Sequence, residues 1–196
     1  NPSLIITIDA THSGLLTNGR VYPGRHVERG YPSYTSVQNG GTAEYDKPVL
    51  KNHDHDSDPI GRIIGAQYIK YKEGNDFLYD FLNPDGPEDG KKGSGVVRIK
   101  AKILDPDAIV KIIDGRLLSF SSGHTTDSMT CSVCTKPMMS LMARILGEDE
   151  DGCEHIQGKE YEVDGEVVKC YGITGPLTYR EGSMVTIPAQ GPAKVI

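Results

Sequence analysis

Between Val96 and His124 the chain writes three elements in a row, and their boundaries leave little freedom. Val96-Val-Arg-Ile-Lys-Ala-Lys-Ile103 alternates apolar with basic residues over most of its length. A period of two turns one face to a core and the other to solvent, which is a half-buried strand. Asp105 then caps a helix, Pro106 takes its first position and Gly115 closes it. Ile109, Ile112 and Ile113 form the expected apolar face of that helix. Leu117 to Ser121 reads as a second strand, ending on the pair Ser121-Ser122 before Gly123. Extended backbone sends the two serines to opposite faces, so only one hydroxyl can meet a given cleft.

The remaining pattern is also mainly β. Leu4 to Asp9, Pro48 to Lys51, Tyr161 to Tyr171, Leu177 to Arg180 and Met184 to Ile187 read as strands. Ile60 to Tyr71 and Asp76 to Leu82 read as a hairpin around Glu73-Gly74-Asn75. Ala10 to Asp46 is a long excursion of turn residues with short extended pieces. Pro137 to Leu146 reads as a second helix with Met138, Leu141, Met142 and Ile145 on one face, and an acidic loop, Glu148 to Asp151, follows. Many strands and few helices in 196 residues predict a single domain that is mainly β with peripheral helices (α+β), a barrel or a sandwich.

Charge and hydropathy bound the partners. The net charge of −6 argues against a specific nucleic-acid surface, although Lys91, Lys92, Arg98, Lys100 and Lys102 gather basic residues locally. No apolar run approaches the ~20 residues of a membrane helix. No signal-peptide pattern opens the chain, and its first residues, Asn1-Pro2, suggest a processed protein. The expectation is a soluble intracellular protein with no membrane partner.

Three segments carry candidate chemistry. His53-Asp-His-Asp-Ser-Asp58 holds two histidines and three aspartates in six residues. It offers a general base, a metal site or a solvated acidic loop. The metallo-β-lactamase pattern, aligned on His53 and His55, fails at Ser57 and Asp58. Ser121 and Ser122 are nucleophile candidates, but no Gly-x-Ser-x-Gly elbow surrounds them. Glu181 stands at the expected start of a strand; by itself it reads as a surface carboxylate.

Taken together, the three resemble a family. Asn52-His53-Asp54 followed by Pro59-Ile60-Gly61-Arg62 resembles the histidine segment of tailed-phage prohead proteases. Gly115-Arg-Leu-Leu-Ser-Phe-Ser121-Ser-Gly123 is similar to their Gly-x-Leu-x-x-x-Ser-x-Gly segment, which also follows a helix opening with Asp-Pro. Glu181-Gly-Ser-Met-Val-Thr-Ile-Pro-Ala189 resembles their glutamate segment, and the three occur in the family's order. The resemblance implies a herpesvirus-protease-like β-barrel. It implies a serine endopeptidase of phage head maturation, cleaving scaffold and major capsid proteins inside the prohead or virion in the host cytoplasm. Ser121 would be the nucleophile, His53 the general base and Glu181 the group that orients the imidazole. A homo-oligomer is compatible, since the herpesvirus enzymes act as dimers.

There are departures from the family pattern. His53 lies one residue farther from Gly61 than usual, which keeps His55 as a rival base. Gly182 replaces an apolar residue, which predicts a looser strand. A virion protein that keeps the fold without catalysis, or a metal-dependent hydrolase built on the His-Asp segment, are the competing readings.

Cys131-x-x-Cys134, eighteen residues, then Cys153-x-His155 is close to a four-ligand zinc pattern. Four protein ligands leave no open position, so the zinc would be structural and would not be needed for catalysis. Cys170 is a rival to His155, and two disulfides or free buried thiols are the alternatives. This predicts an inserted zinc-binding subdomain over 125–170, between the serine strand and Glu181.

Overall fold

In the computed structural model, residues 2–72, 93–138 and 152–196 are described. The chain runs β1 (Leu4–Ser13), β2 (Leu16–Thr17), β3 (Arg20–Val21), α1 (Gly24–Gly30), β4 (Pro48–Lys51), β5 (Gly61–Lys70) and β6 (Gly95–Ile103). It continues with α2 (Pro106–Ile113), β7 (Ser119–Thr126), β8 (Met129–Cys131), β9 (Glu160–Val163) and β10 (Glu166–Lys169). The last strands are β11 (Gly172–Thr174), β12 (Leu177–Val185) and β13 (Lys194–Val195).

Seven strands close a barrel in the order β1-β13-β7-β12-β4-β5-β6, with β6 returning to β1. Closure leaves no free sheet edge and lets inward side chains fill the lumen. Ile8, Ile63, Ile99, Ile103, Phe120 and Met184 are fully buried there. Each contributes about 1.5–3 kcal/mol by leaving water. The fold is therefore mainly β with a barrel, as the alternation predicts.

The helix expected after β6 forms where its caps place it. The Asp105 carboxylate accepts the Ala108 N–H at 2.6 Å, and Gly115 adopts φ 83°. Its apolar face is narrower than expected: Ile112 is buried and Ile109 packs on the core, but Ile113 is 72% exposed.

Several strands differ from their expected bounds. The serine strand is longer, and Ser121 sits inside it rather than at its end. Glu181 likewise lies in the middle of β12, which joins the two strands expected over 177–187. The single strand expected over Tyr161–Tyr171 is the hairpin β9–β10, turning on Asp164-Gly165, both at positive φ. The excursion from Ala10 to Asp46 contains β2, β3 and α1. The partner strand Asp76–Leu82, the loop turn at Glu73, Lys91, Lys92, the acidic loop and most of the second expected helix lie outside the described residues. Of that helix, Pro137 and Met138 are described, and both make β-bridges.

A second sheet, β2-β3-β11-β8, joins the cysteine-bearing region to the hairpin that follows β1. Among the described residues, no helix is long and apolar enough to cross a membrane.

Candidate functional site

Strand register builds the site. β7 and β12 run antiparallel with Ser121 opposite Ser183, Ser122 opposite Gly182 and Gly123 opposite Glu181. The pairing slips between Tyr179 and Glu181. An extra residue at that point reverses the alternation downstream of it. Tyr179 before the slip and Met184 after it both belong to the core. Glu181 and Ser183 are thereby turned to the opposite face, the face of Ser121.

His53 arrives from β4, which pairs in parallel with β12, Leu50 opposite Ser183. The chain leaves β4 through two non-glycine residues at positive φ, Asn52 (53°) and His53 (57°). Such a conformation is rare for non-glycine residues and persists only where neighbours hold it. Here the Asn52 N–H donates to the Met184 carbonyl at 2.9 Å, and the His53 N–H donates to the Ser183 hydroxyl at 3.1 Å.

The turn brings His53 Nδ1 to 2.7 Å from Glu181 Oε1, across 128 residues of sequence. The carboxylate is 3% exposed and the imidazole 41% exposed. A carboxylate only accepts, so the Nδ1–H of His53 is the donor of this bond, and Nε2 is the ring nitrogen it leaves unengaged by Glu181. The other carboxylate oxygen, Oε2, accepts the Ser183 hydroxyl at 2.7 Å. Glu181 is thus a buried, fully oriented carboxylate rather than a surface one.

Ser121 and His53 line one cavity of about 260 Å³, with Thr17, Arg20, Tyr22 and Gln190 among its other walls. Among the described residues no hydrogen bond joins the Ser121 hydroxyl to the imidazole. The His124 imidazole is also in this wall; burial lowers its pKa, and the Arg20 charge adds to the effect, both favouring the neutral ring.

Ser122 takes the opposite face and is fully engaged. Its hydroxyl accepts from Tyr34 Oη at 2.7 Å, contacts Thr11 Oγ1 at 2.8 Å and donates to the Ala10 carbonyl at 3.1 Å. His55 is exposed, and Asp54 is occupied by the Ser57 hydroxyl and the Asp56 N–H. The His-Asp segment gathers no metal-binding group among the described residues.

Two glycines shape the same region. A Cβ on Gly123 would lie 1.9 Å from Glu181 Oε1, so that residue must be bare for the carboxylate to fit. A Cβ on Gly182 would lie 2.2 Å from the Phe120 ring. The expected loosening at Gly182 is absent: the glycine admits the Phe120 ring, and β12 stays paired on both sides.

The sulfur-rich cluster forms separately. The ligand atoms of Cys131, Cys134, Cys153 and His155 all lie within 4.8 Å of one another. His155 Nδ1 is 3.6 Å from Cys131 Sγ and 3.4 Å from Cys153 Sγ. Bond lengths of about 2.3 Å to sulfur and 2.0 Å to nitrogen put tetrahedral donors roughly 3.5–3.8 Å apart. The donor set therefore fits one ion. Backbone N–H groups support it: Val133 donates to Cys131 Sγ at 3.3 Å and His155 to Cys153 Sγ at 3.2 Å. Burial pushes the Cys131 thiol up, but the Cys134 and Val133 N–H groups and the neighbouring thiols outweigh it and hold it below its usual range. Burial first, then Cys131 and Cys134, push the Cys153 thiol up to about 12. Cys170 Sγ lies 3.6 Å from Cys131 Sγ, and no disulfide joins any of the four cysteines.

The sequence pattern includes Ser183 in the glutamate segment but assigns no role to it or to Gly123. The signal for Ser183 was its spacing, two residues after Glu181 on one strand face. No family model, curated protein or solved structure matches this chain.

Proposed function

We propose that this protein is a serine endopeptidase of the tailed-phage prohead type, acting on scaffold and capsid proteins during head maturation. The observation that carries the reading is the 2.7 Å pairing of His53 Nδ1 with the buried Glu181, facing the cavity that Ser121 lines. Ser121 Oγ attacks the carbonyl carbon of a peptide bond as its proton passes to His53 Nε2. Glu181 stabilises the imidazolium that forms. The imidazolium gives that proton to the departing amine as the C–N bond breaks. Water then attacks the acyl carbon as it loses a proton to His53, and His53 returns that proton to Ser121 Oγ as the acyl–oxygen bond breaks.

Incubation of the purified protein with a proteome-derived peptide library tests the reading. New termini should accumulate with a common flanking sequence and vanish in His53→Ala. A library left intact by the native chain overturns the peptidase assignment.

A positional check follows from the glycine packing. Gly123→Ala should displace the Glu181 carboxylate and lower kcat/KM by roughly 10²-fold, the cost of misplacing a catalytic group. Its far-ultraviolet circular dichroism should stay native. Full activity in Gly123→Ala would contradict the role given to Glu181.

For the cysteine cluster, zinc is the ion whose chemistry suits three thiolates and one imidazole. Cys131, Cys134, Cys153 and His155 would hold it and close the inserted region; Cys170 packs beside Cys131 as a fourth thiol. A closed four-ligand site has no position for substrate, so its role is structural.

A further inference from the structure

We infer that Ser183 is a positioning residue of the proposed peptidase site, acting through both His53 and Glu181; the inference rests on that functional reading. Three hydrogen bonds form a closed circuit. His53 Nδ1–H donates to Glu181 Oε1 at 2.7 Å, the Ser183 hydroxyl donates to Glu181 Oε2 at 2.7 Å, and the His53 N–H donates to the Ser183 hydroxyl at 3.1 Å. One hydroxyl therefore fixes the rotation of the carboxylate and the backbone of the base together.

Each bond restrains a different freedom. The carboxylate can swing about its terminal torsion, a broad and soft one. With Oε2 held by Ser183, Oε1 is presented to Nδ1 alone. The backbone of His53 sits at φ 57°, a left-handed conformation uncommon for non-glycine residues. The Ser183 oxygen accepts the N–H that this conformation points back toward β12. Ser183 itself cannot drift, because it is 0% exposed and lies in a strand paired on both sides.

The register ties the circuit to the nucleophile. Ser183 stands directly opposite Ser121 in the β7–β12 pairing. The strand residue that anchors the base is thus the cross-strand neighbour of the residue that attacks. Neither serine can slide relative to the other without breaking the barrel ladder. A backbone shift at Ser183 would therefore also disturb the pairing that places Ser121.

A serine that only satisfied buried polar groups would affect stability and leave the imidazole's proton unchanged. Ser183→Ala separates the two roles. With a fluorogenic peptide built on the mapped cleavage site, kcat should fall roughly 10²-fold with KM unchanged, as for a misplaced catalytic group. In protein labelled with ¹⁵N-histidine, the His53 Nδ1 proton should be a resolved, slowly exchanging signal in the native chain and be broadened away in Ser183→Ala. Ser183→Cys keeps a donor of similar shape and should recover part of both readouts.

Cleavage by Ser183→Ala within threefold of native, or an unchanged Nδ1 signal, overturns the inference. Should neither variant fold, the native chain still decides. Its His53 amide proton should exchange slowly despite the exposed loop around it, and fast exchange overturns the circuit. If the native protein cuts no peptide, the functional reading fails. The Nδ1 measurement then still judges the positioning role, because it needs no substrate.

Discussion

Ser121→Ala is expected to abolish peptide cleavage, and Ser122→Ala to preserve it while destabilising the fold. The first change would remove the proposed attacking oxygen and should lower kcat/KM by roughly 10⁴–10⁶-fold, the scale seen when a nucleophile is deleted. It should leave the melting curve near native, because the Ser121 side chain opens on the cavity rather than into the core. The second change has the opposite signature. The Ser122 hydroxyl receives Tyr34 Oη, contacts Thr11 Oγ1 and bonds the Ala10 carbonyl, and Tyr34 is 0% exposed. Deleting that oxygen strands a buried phenol, at a cost of about 1–3 kcal/mol. Paired kinetic and thermal measurements on the two variants read both effects. A reversed outcome, with Ser122→Ala inactive and Ser121→Ala active, would transfer the nucleophile to the other face of β7. Activity in neither native nor variant chains would favour a structural protein with this barrel.

Local signals carried the elements whose causes are local. The alternation over 96–103 and the cap at Asp105-Pro106 predicted β6 and α2 because both depend on neighbours in sequence. The opposite directions of Ser121 and Ser122 follow from strand geometry alone. Glu181 was harder. The residue slip before it reverses the faces of β12, and no two-residue period reveals such a slip in advance. Gly182 breaks the apolar pattern of that strand for a reason on another strand, the Phe120 ring. The left-handed backbone of His53 is set by Ser183 and Met184, 130 residues away or more, and nothing in Asn52-His53 announces it. The Asp164-Gly165 turn, by contrast, was a hairpin signal present in the sequence and read as the middle of one strand. The cysteine cluster was legible because its ligands come as two short pairs. Cys170 reads in sequence as a rival to His155 in that cluster, and the pairing of β11 with β8 brings it beside Cys131.

Metal removal should unfold the cluster region and weaken the cavity with it. Protein prepared without chelator is expected to carry one zinc per chain by elemental analysis, lost in Cys131→Ser and retained in His53→Ala. Among the described residues, the cluster consists of three buried cysteines packed with Val133, Cys134, Met138 and Tyr161. A metal bound by the four clustered ligands would add its binding free energy to the folding of the segment they tie down. Hydrogen exchange at Cys131, Cys153 and Cys170 should rise sharply on chelation. The pH dependence has a definite sign. The metal-free Cys153 thiol is pushed up to about 12, so it is protonated at neutral pH and must release that proton to bind. Zinc affinity should therefore rise with pH, by about tenfold per unit for each proton released, and fall in acid. The consequence reaches the cavity through β11, which pairs with both β8 and β3. Gly172 stands opposite Arg20, Gln157 donates to the Asn18 carbonyl at 2.9 Å, and Thr17, Asn18 and Arg20 line the cavity. Loosening the cluster frees that wall while the pairing of His53 with Glu181 stays intact, so KM should rise more than kcat falls. Zinc that follows His53 instead of Cys131, or a fully stable metal-free cluster, would refute this structural role and return attention to the histidine segment.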